Sequence, residues 1–302
     1  MKRAFLITFL AGTLMALAAA QQSTSKASPA VDWKAVDNVL GRAGQDQPDG
    51  THKFAMPRSD LSVTVDGLQI KAGLALGSWA AFRMMDGEAE VMGDLVLTED
   101  EVPAVMQKLI GSGIEITALH NHLLQESPQV MYMHIHGRGQ AARLAGGIHE
   151  ALSTTKTPQP SPAPAAAAPE LGFDAKQVDT ILGHAGKNNN GIYQVAVPRA
   201  EKITEDGMPI PNSMGLATAL NFQPTGGGKA AITGDFVLIG TEVNPVIKAL
   251  RSGGVAVTAL HSHMLDEQPR LFFMHFWAND DALKLARTLR SALDQTNSAK
   301  AK

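Results

Sequence analysis

Thr-Ala-Leu-His-Asn-His-Leu-Leu-Gln-Glu-Ser-Pro, residues 117–128, returns as Thr-Ala-Leu-His-Ser-His-Met-Leu-Asp-Glu-Gln-Pro, residues 258–269. A Met-His pair follows each copy, Met133-His134 and Met274-His275, so His-x-His-x3-Glu-x7-His occurs twice at identical spacing. Apolar residues alternate with polar ones on both sides of a Ser- or Gln-Pro turn, which reads as two antiparallel strands. Outward from this stretch the two halves keep matching. Val36-Asp37 answers to Val178-Asp179, Pro57-Arg58 to Pro198-Arg199 and Asp66-Gly67 to Asp206-Gly207. Gly93-Asp94 answers to Gly234-Asp235, and Glu101-Val102 to Glu242-Val243. The chain is an internal duplication.

Each half predicts the same order of elements. A short helix over 36–43 stops at Gly44, and short strands over 53–56 and 61–65 lead to a turn at Asp66-Gly67. Longer strands follow over 72–84 and 90–97. Thr98 and Glu101 form a capping box that opens a helix running to Ile110. A strand pair over 114–124 and 130–136 and an amphipathic helix over 140–152, matched by 280–293, complete the unit. Strands outnumber helices without βαβ alternation. The expectation is an α+β fold of two tandem homologous domains, each an antiparallel sheet packed with helices.

The 302 residues are enough for two such domains. Residues 31–152 form the first repeat and 171–295 the second. Residues 153–170, rich in Pro, Ala, Ser and Thr, read as an extended linker. Lys2 and Arg3, the apolar run 4–17 and Ala18-Ala19-Ala20 predict a signal peptide over 1–20, with a polar tether over 21–30. A membrane anchor is the other reading of that run, but a spanning helix needs roughly 20 apolar residues. The expected location is periplasmic or secreted, with no membrane span after cleavage. There is no cysteine, so any metal must be held by nitrogen and oxygen, and the net charge of −3 gives no case for nucleic acid.

On a strand, residues two apart share a face. His120 and His122 then project together, with Glu126 at the same parity, and a turn near Ser127 sets His134 across from His120. The second repeat gathers His261, His263, Glu267 and His275 in the same way. His136 shares the face in the first repeat, and Trp277 replaces it in the second. Leu119, Leu123, Met131 and Met133 fall on the opposite face, as do Leu260, Met264, Phe272 and Met274, and are expected to pack on the helices. Three imidazoles and a carboxylate per repeat suit a divalent metal, zinc first, with Fe, Mn, Ni or Cu as other occupants. A polar or sugar-binding patch and a structural hydrogen-bond network are the competing readings. Glu126 and Glu267 are candidate ligands or general bases. Arg58 and Arg199 could clamp a carboxylate or phosphate of a bound cofactor or substrate, or form surface ion pairs. Asp94 and Asp235 could orient a ligand imidazole from behind, or form turns.

His-x-His-x3-Glu resembles half of a cupin metal motif, whose other half is missing here. A broader resemblance covers nearly all of both repeats. The run Gly-Asp-Phe-Val-Leu, then Glu-Val, then Val-Thr-Ala-Leu-His-Ser-His-Met-Leu-Asp-Glu-Gln-Pro-Arg-Leu-Phe-Phe-Met-His-Phe-Trp resembles the LppY/LpqO family of exported bacterial proteins. That resemblance implies export and a shared fold, and no reaction. Two functions stay open on the residues. One is a metal-dependent hydrolase or lyase. The other is a non-catalytic module that binds a cell-envelope glycan, another small molecule or the metal itself.

Overall fold

The computed structural model describes residues 31–160 and 168–300. The expected signal peptide, the tether and the middle of the linker lie outside the described residues. The first repeat runs α1 (Trp33–Leu40), β1 (Gln45–Asp46), β2 (His52–Pro57), β3 (Thr64–Val65), β4 (Leu68–Gln69), α2 (Ala72–Ala75), β5 (Gly77–Met85), β6 (Glu88–Thr98), α3 (Val102–Gly111), β7 (Glu115–His120), β8 (Glu126–Ser127), β9 (Val130–Gly139) and α4 (Ala141–Leu152). The second runs α5 (Ala175–Leu182), β10 (Lys187–Asn189), β11 (Ile192–Pro198), β12 (Thr204–Glu205), β13 (Met208–Pro209), β14 (Ala217–Gly226), β15 (Lys229–Ile239), α6 (Val243–Ser252), β16 (Ala256–His261), β17 (Leu271–Asp281) and α7 (Ala282–Leu293). The sheets have the orders β1-β2-β5-β6-β9-β7 and β10-β11-β14-β15-β17-β16, all antiparallel, and the fold is α+β. No helix among the described residues is long and apolar enough to cross a membrane.

Local chemistry explains the ends of the elements. Asp32 and Asp174 cap α1 and α5, accepting from the Ala35 and Gln177 amides at 3.2 and 3.0 Å. Both helices stop at a left-handed glycine, Gly41 (φ 77°) and Gly183 (φ 75°), three residues before the expected stop at Gly44. The strand expected over 72–84 splits, because Ala72–Ala75 forms a helical turn before β5 begins at Gly77. Glu101 caps α3 as expected, accepting from Thr98 N at 2.9 Å.

Pleating gives each sheet one face for the helices. Phe54, Phe82, Leu95, Met133 and Ile135 pack there with Leu109, Leu144 and Ile148 of α3 and α4. Phe222, Phe236, Met274 and Phe276 pack with Leu250 of α6 and with Leu285 and Leu289 of α7. Met133 and Met274 thus fill the core. Leu119 and Leu260, on edge strands, stay 40% and 46% exposed. Leu123 and Met264 were expected on the helix face. They lie past the ends of their strands, where the period of two no longer binds them, and pack between the repeats.

The other two sheet faces close on each other through exchanged arms. Ile70, Leu74 and Leu76 of the first repeat pack with Ile192, Ala231 and Trp277 of the second. Ile203, Ile210, Met214 and Leu216 of the second pack with Ala81 and Met92 of the first. Polar groups stitch the exchange. Gln223 accepts from Lys71 N at 2.8 Å and donates to Gln69 O at 2.9 Å, and Asn221 donates to Leu74 O at 3.0 Å. The described residues of both repeats fall in one compact unit and share two hydrophobic clusters.

Candidate functional site

The inward face of the first sheet carries Trp79, Asp94 and His134 in a row, set by the pairs Trp79↔Asp94 and Asp94↔His134. The second carries Ala219, Asp235 and His275. The register differs from expectation by two residues on each edge strand. His120 lies across from Tyr132, and His134 across from Ala118, with a one-residue irregularity between Ile116 and Ala118 farther from the turn. The shift is by two along β9, so His120 and His134 keep one face, with ring centroids 5.1 Å apart.

The second histidine of each motif lies beyond the strand. His122 is held by stacking on Tyr132 (3.3 Å between centroids) and by the Thr258 hydroxyl, which donates to its carbonyl at 2.6 Å. His263 stacks on Phe273 at 3.5 Å. The six imidazoles meet between the repeats in reciprocal fashion. His120 lies 3.6 Å from His261, His122 3.6 Å from His275 and His134 3.7 Å from His263, centroid to centroid. Sequence reasoning found all six and separated them into two sites. Their meeting is a product of the arm exchange, which leaves no mark in either repeat alone.

The carboxylates that join the imidazoles are aspartates. Asp94, His122 and His134 bring one ligand atom each within 4.8 Å of one another, and so do Asp235, His263 and His275. Asp94 Oδ1 lies 3.8 Å from His134 Nε2, and Asp235 lies 3.6 Å from His263 and 3.9 Å from His275. These gaps exceed hydrogen bonds and come close to the ligand–ligand edge of a tetrahedral zinc, about 3.4 Å for bonds of about 2.1 Å. Glu126 and Glu267 belong to neither group. Each reaches four residues along its own turn, accepting from Val130 N at 3.1 Å and Leu271 N at 2.7 Å, and Glu267 also meets Arg270 at 3.3 Å. Strand alternation does not carry a side chain around a turn, so the parity that placed them with the imidazoles does not hold there. The turns contain cis Ser127–Pro128 and Gln268–Pro269 peptides.

Arg58 and Arg199 sit elsewhere. Arg58 is fully buried and forks onto Glu101 at 2.7 and 3.1 Å, onto Asp60 at 2.8 Å and onto Val96 O at 2.8 Å. Arg199 does the same with Glu242 at 2.7 and 2.9 Å and with Val237 O at 2.6 Å. Neither lines the histidine cavity, and neither forms the surface pair that was the alternative. His136 also leaves the cluster, bonding Glu90 at 3.2 Å with Glu205 of the other repeat at 3.9 Å, and Trp277 donates to Asp66 at 2.8 Å.

Burial makes the cluster's electrostatics unusual. It pulls all six imidazoles below their ordinary pKa, His120 to about 4 and His275 to about 3, and for His122 and His263 the neighbouring imidazoles add to it. The rings are therefore neutral, each with a lone pair to offer. Burial likewise lifts Asp94 to about 8 and Asp235 well above the carboxylate range. His261 and His263 share one hydrogen bond, Nε2 to Nε2 at 2.9 Å; most of the other lone pairs have no taker among the described residues. Nε2 of His120, His122, His134 and His275, Nδ1 of His261 and one oxygen each of Asp94 and Asp235 are buried without a hydrogen bond. Buried polar atoms are nearly always paired, so a concentration of orphans calls for an explanation. His275 is also oriented from behind: Nδ1 donates to Gly234 O at 2.7 Å, which turns Nε2 toward the cluster. A cavity of roughly 530 Å³ opens onto both groups, touching Asp94, His122, His134, Asp235, His263 and His275.

The model of the family described as Domain of Unknown Function (DUF1259) matches residues 34–154 and again 176–295. No curated protein matches the chain in sequence. Among solved structures it is similar to a trimeric bacterial microcompartment shell protein, PduB, with 12% identity and a TM-score of 0.21 over 83% of this chain and 89% of that one. It is similar to EtuB from Clostridium kluyveri with 10% identity and a TM-score of 0.20 over 83% and 88%. Likeness that slight bears on neither fold nor function.

Proposed function

Since the chain belongs to the Domain of Unknown Function (DUF1259) family and carries its domain twice, we propose that the histidine–aspartate cluster is a divalent-metal centre of an exported metal-dependent hydrolase or lyase. The LppY/LpqO resemblance and the basic, then apolar N-terminus support export. The observation that carries the metal reading is the convergence of orphaned imidazole nitrogens and aspartate oxygens on one cavity. A cation would satisfy those atoms at once, and neutral imidazole with carboxylate is a donor set for zinc and its first-row neighbours.

Ring geometry favours ligation within a repeat. Two imidazoles that share a tetrahedral ion have centroids about 5 Å apart, given nitrogen–metal bonds of about 2.0 Å. His120 meets His122 at 5.0 Å and His134 at 5.1 Å, while His261 meets His263 at 4.8 Å and His275 at 4.9 Å. Two of the three close contacts across the repeats, His122–His275 and His134–His263, are face-to-face stacks instead, and the third, His120–His261, is tilted. Asp94, His122 and His134 would hold one ion, and Asp235, His263 and His275 a second, while His120 gathers with residues of both repeats, either His134, His261 and His263 or His122 and His275. Activation of water and polarisation of a substrate oxygen are what such an ion supplies. His134, His263 and His275 are buried, and the Gly234 carbonyl fixes the His275 tautomer.

The test is elemental analysis and metal titration of the full chain purified without a histidine tag. Near two equivalents of Zn or another first-row metal is expected, lost in part with Asp94→Asn. Absence of metal, with no affinity for any of Zn, Fe, Mn, Ni and Cu, overturns the reading.

A further inference from the structure

The two halves of the cavity wall are not equivalent. Beside Asp94 stands Trp79, and Lys53 of the neighbouring strand lays its ammonium 4.2 Å over that ring. At the corresponding positions beside Asp235 the second repeat has Ala219 and Gln194, one small and the other neutral. A duplicated floor thus carries a cationic, aromatic wall on one side only. Lys53 has three N–H donors, and one is used, on Ser213 O at 2.7 Å. Ser213 is fixed in turn by Asp49, which accepts from its amide and its hydroxyl at 2.9 Å. The ammonium is therefore held at the wall with donors to spare.

Charge says what it would meet. Lys53 faces Asp94 and Asp235 in one lining. With the divalent ions of the proposed centre on the floor that lining is net positive, so an anion is its complement. The Ala217–Ala219 side leaves room for the body of a ligand, and Asn221, whose Nδ2 goes to Leu74 O at 3.0 Å, keeps Oδ1 as an acceptor for a hydroxyl.

We propose that this cavity binds a small hydroxylated carboxylic acid of the sugar-acid class. Its carboxylate lies on the Lys53 ammonium above Trp79, its body against Ala217 and Ala219, and its hydroxyls over the histidine–aspartate floor. The proposal rests on the metal reading above for the sign of the cavity, and names a substrate class for the same site.

The experiment is calorimetric titration of the metal-loaded full chain with gluconate, and with sorbitol as its neutral analogue, metal content being measured before and after. Gluconate is expected to bind once per chain, at least tenfold more tightly than sorbitol. Lys53→Met and Lys53→Gln should each weaken gluconate at least tenfold and leave metal content unchanged. Absent gluconate binding, equal affinity for gluconate and sorbitol, equal affinity in the folded Lys53 variants, or loss of metal to the gluconate solution overturns the proposal. If neither variant folds, the comparison with sorbitol on the wild type decides. A chain that holds metal and ignores gluconate refutes the substrate class alone. A chain that binds gluconate through Lys53 without holding metal refutes the metal centre alone.

Discussion

Met133 and His134 are neighbours on β9 whose side chains leave the sheet in opposite directions, so a pair of alanine substitutions separates packing from chemistry. Met133 is fully buried against Leu95, Leu109 and Leu144 under α3 and α4. Met133→Ala removes three heavy atoms from a site closed on all sides and should cost about 2–5 kcal/mol. Metal affinity should stay within about twofold, since the sheet face bearing Asp94 and His134 is untouched. His134 is 4% exposed and its Nε2 has no partner. His134→Ala therefore removes an orphaned polar atom, a relief of about 1–3 kcal/mol. It also removes the stack on His263 at 3.7 Å, a loss of about 0.5–1.5 kcal/mol, and some buried ring area. The two nearly cancel, and the metal-free variant should unfold within about 1 kcal/mol of the wild type. Its metal affinity should fall at least tenfold, about 1.4 kcal/mol. Urea unfolding of the chelator-treated full chain gives the first quantity, and competition against a chromophoric chelator gives the second. Metal lost with Met133 and kept with His134 would mean that the wrong face of the sheet has been assigned.

Asp94→Asn and Asp235→Asn should each weaken metal binding at least tenfold, about 1.4 kcal/mol, whereas Glu126→Gln, confined to its turn, should leave it within about twofold; metal titration ranks the three, and loss with Glu126→Gln alone would return that carboxylate to the site. Glu101 and Arg58 form a buried pair, so Glu101→Gln should cost about 3 kcal/mol at neutral pH by urea unfolding. Burial raises the Glu101 carboxyl, but Arg58 and the amides of Lys156 and Thr98 outweigh it and hold the pKa below the ordinary value. The stability it supplies is present above the unfolded pKa of about 4.3 and fades as pH falls through the native value, so Glu101→Gln should flatten the acid limb of stability against pH; an unchanged limb would place the titration elsewhere. A β-carbon at Gly234 would run into the Ala219 carbonyl. Gly234→Ala should therefore force β14 from β15, at a cost of at least about 2 kcal/mol in the same assay, and loosen metal at Asp235, because Gly234 O also holds His275; a variant of wild-type stability and metal content would mean that the strands tolerate the shift.

Much of this protein could be read without coordinates, and the reasons are local. A duplicated stretch is visible as identity at a fixed offset. Side-chain alternation on a strand is a covalent property, so Met133 and Met274 went to the core and His120, His134, His261 and His275 to the other face. The Thr98–Glu101 cap and the turn at Asp66-Gly67 (φ 50° and 77°) depend on a few adjacent residues. Three features lay beyond that reach. The strand ends at His120, so Glu126 turned to the Val130 amide, and Asp94, thirty-odd residues upstream, took the place beside the imidazoles. Arg58 found Glu101 across the first repeat and was sealed in. The two histidine sets closed face to face because the arms around Ile70–Leu76 and Ile203–Leu216 pack their apolar side chains in clusters shared with the other repeat. Period and turn chemistry act over a few residues and are written along the chain. The choice of carboxylate and the meeting of the two sites are fixed by burial between segments far apart in sequence, which only packing in three dimensions selects.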